Sequence, residues 1–231
     1  MIVQERSTAA PAARDLALAL RPPTGALLAV VILAALALRL WGVNYGLPYA
    51  YHPDEPFMMG VAWKMYRSGD LNPHVWDYPT MQMYVLLALV AIREGFQGWL
   101  PVLATPGMEY LLGRLLNVAY GVGTVALVYW SGRRLFGRWE GVVGAALLAT
   151  AQLHSLMSHF LKVDVPTTFW CAAVLAASAR LLERPSVGTY ALAGATVGLA
   201  AAGKYPAATV GVVVVAAHWS AWTVNPSGGR L

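Results

Sequence analysis

Apolar residues fall along this chain in blocks separated by short polar breaks. Blocks near 24–43, 110–132, 141–161, 165–182, 187–203 and 205–224 are dominated by Ala, Val, Leu and Gly. Most approach the roughly 20 helical residues needed to cross a hydrocarbon core. Apolar on all sides, they read as membrane helices rather than as one-faced surface helices. The expected fold class is all-α, a polytopic membrane bundle with about six transmembrane helices. The run 80–92 is shorter, thirteen residues closed by Arg93-Glu94. That length suits an interfacial or re-entrant segment better than a crossing one.

Charge decides between these readings. If 80–92 does not cross, Arg6, Arg14, Arg21, Arg133, Arg134, Arg138, Arg180, Arg184 and Arg230 fall on one side, the cytoplasmic one. That side then holds nine basic residues against four acids (Glu5, Asp15, Glu140, Glu183), and the other holds seven of each. If 80–92 crosses, the 133–138 cluster is placed outside. The expectation is six spans with both termini cytoplasmic. The organisation is a cytoplasmic tail at 1–23, a membrane domain at 24–224 with an extracytoplasmic loop at 44–109, and a truncated tail at 225–231.

Composition agrees. Of 231 residues 58% are hydrophobic and 12% charged, about half the charge of a soluble domain. The net charge of +5 follows from cytoplasmic loops, and no basic stripe points to nucleic acid. The single cysteine, Cys171, lies in an apolar run and reads as a packing residue. Glu5, Asp15 and Pro22-Pro23 precede the first block, unlike a cleaved signal peptide.

Within the outer loop, 56–68 reads as a surface helix. Pro56 suits its first turn, Phe57, Val61 and Met65 form an apolar stripe, and Gly69 closes it. Just before it, Tyr51-His52-Pro53-Asp54-Glu55-Pro56 holds two carboxylates on a stiff turn between prolines. A plainer reading makes Asp54 an N-cap and Glu55 a first-turn acid. Asp164 sits in a short outer turn with Lys162, between two spans. There it is either a functional boundary acid or a cap paired with Lys162.

Four outer basic residues, Arg39, Arg114, Lys162 and Lys204, fall at span ends against the orientation bias. A bound lipid phosphate gives one reason, and snorkelling to headgroups another. Arg39 reads as snorkelling. Acids and cations from distant segments thus share one face. That suits transfer from a lipid-linked phosphate donor: a carboxylate takes a proton and basic groups hold the leaving phosphate. His52 and His159 could join Asp54 and Asp164 around a divalent ion, although no ligand spacing such as HExxH exists. His74, His154 and His218 read as interface or buried residues, and the tryptophans and tyrosines as an interfacial belt.

Several blocks, in order, resemble one family. Tyr51-His52-Pro53-Asp54-Glu55 resembles its first-loop PDE motif. Met65 to Pro73 resembles the stretch that follows, and Tyr78-Pro79 the residues before a juxtamembrane helix. Arg114, Arg133-Arg134-Leu135-Phe136-Gly137, Val163-Asp164-Val165-Pro166 and Gly198 to Tyr205 match later blocks. The chain is similar to the polyprenyl-phosphate-sugar-dependent glycosyltransferases of GT-C fold. These include protein O-mannosyltransferases, lipid A aminoarabinose transferases and rhizobial lipopolysaccharide glycosyltransferase-like domains.

That resemblance implies an inverting sugar transfer at the extracytoplasmic face of the cell (inner) membrane. The donor would be a polyprenyl-phosphate sugar, and the acceptor a hydroxyl on protein, lipid or glycan. Asp54 would be the base with Glu55 beside it, and Asp164 would support the acceptor or the loop. Lys162, Lys204 and Arg114 would meet the donor phosphate; His52, Tyr78 and His159 would serve the acceptor or loop. No cofactor is required by the motifs, and a divalent metal is left open. Members usually run to about twice this length, so the chain reads as an N-terminal portion. The competing readings are a transporter or flippase-like protein for a lipid-linked substrate, an inactive fragment, and a membrane scaffold. Transporters tend to show repeated halves and midplane charges, whereas charges here lie at the boundary.

Overall fold

The computed structural model describes residues 24–224, which are helical with no strand among them. The readings of 1–23 and 225–231 as tails, with Arg6, Arg14, Arg21 and Arg230, lie outside the described residues. The elements in chain order are α1 (Thr24–Leu40), α2 (Asp54–Ser68), α3 (Met81–Phe96), α4 (Met108–Leu135), α5 (Arg138–Ala149), α6 (Gln152–Met157), α7 (Asp164–Glu183), α8 (Val187–Gly203) and α9 (Val212–Val224). Short 3-10 turns at Pro101–Ala104 and Tyr205–Gly211 precede α4 and α9.

Helix α4 is the spine. It packs against α5 and α7; α7 in turn packs against α8 and α9, and α1 lies on α4 and α5. Small residues permit the close approaches. A Cβ at Gly132 would stand 2.9 Å from the Gly141 Cα, so α4 and α5 meet backbone to backbone at that point. With little hydrophobic drive between helices in lipid, such contact is a main source of cohesion. Large apolar side chains such as Val30, Leu33, Leu147, Leu153, Val212 and Val215 face outward. An apolar exterior on this scale suits a lipid surround rather than water.

Among the described residues two helices, α4 and α7, are long and apolar enough to cross a membrane, and α1 and α8 are shorter apolar helices. The expected third span, 141–161, is interrupted. Helix α5 ends at Ala149, and α6 starts again at Gln152. The cause is Arg39. It is fully buried, not snorkelling, and its guanidinium donates to the carbonyls of Ala35, Leu148 and Ala149 and meets His154 Nδ1 at 2.9 Å. Carbonyls at the end of α5 are thereby satisfied without a further helical turn. The expected sixth span begins as a 3-10 turn, with Pro206 in its first positions.

Helices α2 and α3 form a separate layer beside the bundle. Met58, Met59, Ala62 and Met65 of α2 and Met83, Leu86 and Val90 of α3 bury a shared core with Leu161 and Val163. The expected stripe of Phe57, Val61 and Met65 is rotated. Phe57 is exposed and meets Tyr78, with ring centroids 6.1 Å apart, while Met58 takes the core position. Both stripes are apolar, and flexible methionines fill the irregular gap more readily than a phenyl ring. The Gly69 stop is as read, with φ of 70°. Helix α3 continues through Arg93-Glu94 because Arg93 is ion-paired, to Glu94 at 2.6 Å and to Glu109 at 3.6 Å.

Candidate active site

One end of the bundle gathers four charged side chains of alternating sign. Asp54 opens α2, Asp164 opens α7, Lys162 lies in the short link between α6 and α7, and Lys204 follows α8. Lys162 Nζ lies 4.0 Å from Asp54 Oδ2 and 3.3 Å from Asp164 Oδ2. Lys204 Nζ lies 2.5 Å from Asp164 Oδ1. The series Asp54, Lys162, Asp164, Lys204 is balanced in charge, and each member remains partly open to solvent.

Its two carboxylates differ. Asp164 is held by both lysines, and Thr168 hydroxyl donates to its backbone carbonyl at 2.9 Å. Asp54 has only long ionic contacts, 4.0 Å to Lys162 and 3.9 Å to His52 Nδ1, and its side chain is 24% exposed. It does not cap α2; instead its N–H donates to His52 Nδ1 at 3.2 Å. An accessible carboxylate with lone pairs to spare can accept a proton.

The adjacent acid is used otherwise. Glu55 is fully buried and receives Arg114 Nε at 2.7 Å and Nη2 at 2.8 Å, a bidentate pair. The Leu161 N–H also donates to Glu55 Oε1, at 3.0 Å. Arg114 Nη1 donates to the carbonyls of Val43 and Tyr45. One buried pair thus ties α2, α4, the segment after α1 and the link carrying Lys162. Beside Asp54 in sequence, Glu55 points into protein because successive helical side chains diverge by about 100°. For the same reason of burial, Arg114 stands beneath the surface and not at an open phosphate position.

The link itself is fixed from below. Asn117 Nδ2 donates to the carbonyls of Phe160 at 2.6 Å and Lys162 at 3.0 Å. Asn117 was not singled out by motif, though a polar amide inside an apolar span is a signal in itself. The His52 ring packs on Phe160, centroids 5.2 Å apart. His159 turns elsewhere: its Nε2 meets the Leu38 carbonyl at 3.1 Å. Tyr78 packs against the α2–α3 core. Among the described residues no group of three or more His, Cys, Asp or Glu stands together to hold a metal ion.

Lys204 reaches Asp164 because Gly203 has no side chain. A Cβ there would stand 2.6 Å from Thr167 Oγ1. Thr167 is itself held by its hydroxyl donating to Val163 at 2.7 Å. The end of α8 can therefore lie directly on the first turn of α7.

A helical bundle clad in apolar side chains, with alternating acids and lysines at one end, is a membrane protein with a polar, charged surface at that end. A family model for the dolichyl-phosphate-mannose-protein mannosyltransferases matches residues 102–226, and the chain belongs to that family of membrane glycosyltransferases. The matched stretch holds Arg114, Asn117, Lys162, Asp164 and Lys204; Asp54 and Glu55 precede it. No curated protein and no solved structure matches the chain.

Proposed function

We propose that this chain transfers a sugar from a polyprenyl-phosphate donor to a hydroxyl acceptor, with inversion, at the corner formed by Asp54, Lys162, Asp164 and Lys204. The observation that carries this reading is the contrast at that corner. Asp54 is accessible and weakly engaged, while Lys162 lies between it and Asp164.

In the proposed step Asp54 accepts the proton of the acceptor hydroxyl. The acceptor oxygen bonds to the anomeric carbon as the bond from that carbon to the phosphate oxygen breaks. The electron pair leaves with the polyprenyl phosphate, whose charge is met by Lys162 and Lys204. Positioned cations are worth most where charge develops in the reaction. Asp164 keeps the two lysines in place until phosphate competes for them. Glu55 and Arg114 position Asp54 and the Lys162 link without touching substrate.

The orientation that fits has six membrane passages, counting α5 with α6 as one and the 205–224 segment as another. Helices α2 and α3 lie on the extracytoplasmic surface, and both termini lie in the cytoplasm. The asymmetry of Arg133, Arg134, Arg138, Arg180 and Arg184 supports it. The setting is the inner (cell) membrane.

The test supplies radiolabelled polyprenyl-phosphate sugars to membranes carrying the chain, beside Asp54→Asn. Transfer that disappears in the variant supports the reading. Transfer that persists in Asp54→Asn removes Asp54 as the base.

A further inference from the structure

A second cavity lies away from the charged corner. It is a groove of about 570 Å³ between α4, α7 and α8. Its floor is the α7 face carrying Phe169, Ala173, Ala177 and Arg180, and Trp130 and Leu192 stand on its walls.

Three observations say what it holds. The first is length. From Phe169 to Arg180 is eleven residues along α7, about 16 Å at the helical rise. That is about half of the roughly 30 Å thickness of a hydrocarbon core, a length that one acyl chain can follow. The second is charge. Arg180 is exposed at the end of the groove and has no ion pair among the described residues. The neighbouring cation, Arg134, is neutralised by Glu183 and stacked on Trp130 at 4.1 Å. The third is width. A helix about 10 Å across and 16 Å long fills on the order of 1,250 Å³, more than twice the groove. The small residues that could admit a helix are already covered: Ala173 is 9% and Ala177 2% exposed.

We propose that this groove binds one phospholipid with an anionic headgroup, its phosphate on Arg180 and an acyl chain along Trp130, Leu192 and Phe169. Arg180 lies one turn from the Glu183 end of α7, opposite the Asp164 end. The lipid therefore belongs to the leaflet facing away from the charged corner. Arginine forms charge-assisted contacts to phosphate, and a cation at headgroup depth favours anionic over zwitterionic lipid. The groove is independent of the transfer reaction, so failure at one site leaves the other untouched.

The experiment uses the full chain in detergent micelles, offered phosphatidylglycerol and phosphatidylcholine of identical acyl chains, with bound lipid counted by native mass spectrometry. The wild type is expected to retain one phosphatidylglycerol in preference. Arg180→Gln is expected to lower that preference roughly fivefold, one headgroup cation's worth. Arg184→Gln, at the same end but outside the groove, is expected to leave it unchanged. A phosphatidylglycerol with a diazirine on its chain is expected to crosslink to peptides carrying Trp130, Phe169 or Leu192. Equal retention of the two lipids by the wild type, a preference that survives Arg180→Gln, or crosslinks confined to other helices would each overturn the proposal. So would a dimer of this chain whose interface excludes lipid from the groove.

Discussion

The Glu55 carboxylate receives the forked guanidinium of Arg114 from 59 residues away, at 2.7 and 2.8 Å, with no exposure of the acid. The Leu161 N–H completes its hydrogen bonds. The pair belongs to the architecture beneath the charged corner of Asp54, Lys162, Asp164 and Lys204. Removing one partner of a buried pair leaves the other charge uncompensated. Glu55→Ala is therefore expected to destabilise the protein by about 3–5 kcal/mol, seen as a lower melting temperature in detergent. Arg114→Lys is expected not to rescue, because an ammonium cannot span two carboxylate oxygens and two carbonyls in a fork. An unchanged melting temperature in Glu55→Ala would remove this role.

Asp54→Asn is expected to behave in the opposite way. Its side chain is partly exposed and makes only contacts near 4 Å, so the fold is expected to remain intact. If Asp54 is the base, kcat falls by about 10²–10⁴ in the donor assay. A large loss of stability with little loss of kcat would place it with Glu55 instead.

Lys162→Gln is expected to lower kcat by about 10²–10³, the loss typical of one preorganised group facing developing charge. It also leaves Asp164 held by Lys204 alone. Lys204→Gln is expected to act chiefly through Asp164, so pairing it with Asp164→Asn in a double-mutant cycle should show strong non-additivity. Simple additivity of the two changes would separate them.

Gly203→Ala tests how Lys204 is placed. The new methyl would stand 2.6 Å from Thr167 Oγ1 and 3.4 Å from its Cβ, so α8 must shift. Overpacking of this kind costs about 1–3 kcal/mol. Adding Thr167→Ala, which removes the nearest atom, is expected to recover part of both stability and activity. A fully tolerated Gly203→Ala would show that α8 has room the structure does not display.

In the loop after α2, His74 Nε2 meets Asp70 Oδ2 at 2.8 Å and the Asn72 N–H donates to Oδ1. The bond from His74, then that from Asn72, holds the Asp70 carboxyl below the usual carboxylate range. A depressed folded value means the contribution is present above the ordinary carboxylate pKa, near 3.9. It is lost as pH falls through the lower folded value. A carboxyl NMR titration should show a midpoint below that of free Asp, returning toward it in His74→Ala. A midpoint already at the ordinary value would refute the arrangement.

The sites were legible in unequal degree. The juxtamembrane helices were readable because Pro56, Gly69 and the shortness of 80–92 act locally, and both helices form, although the buried stripe of α2 is turned by one residue. Asp54, Lys162, Asp164 and Lys204 could be put on one face by charge asymmetry alone, and the structure brings them within 4.0 Å of one another in series. Glu55 and Asp54 could not be told apart, since both are acids on the same turn. Arg39 read as a snorkelling cation and Asn117 was not singled out, because apart from Ala35 their partners lie 43 or more residues away.

What the sequence by itself determined is therefore what depends on neighbours along the chain: the helical blocks, their apolar exterior and most of their stops. Hydrophobic runs and turn residues act over a few positions, and lipid imposes helix on any backbone within it. What only the tertiary structure decided is which charges are spent inside. Whether Glu55 or Asp54 faces solvent, whether Arg39 reaches a headgroup or breaks a span, and whether Lys204 meets Asp164 all turn on packing between distant helices. The contacts of Gly203 on Thr167 and Gly132 on Gly141 set that packing, and an absent Cβ leaves no mark in the sequence beyond the letter glycine.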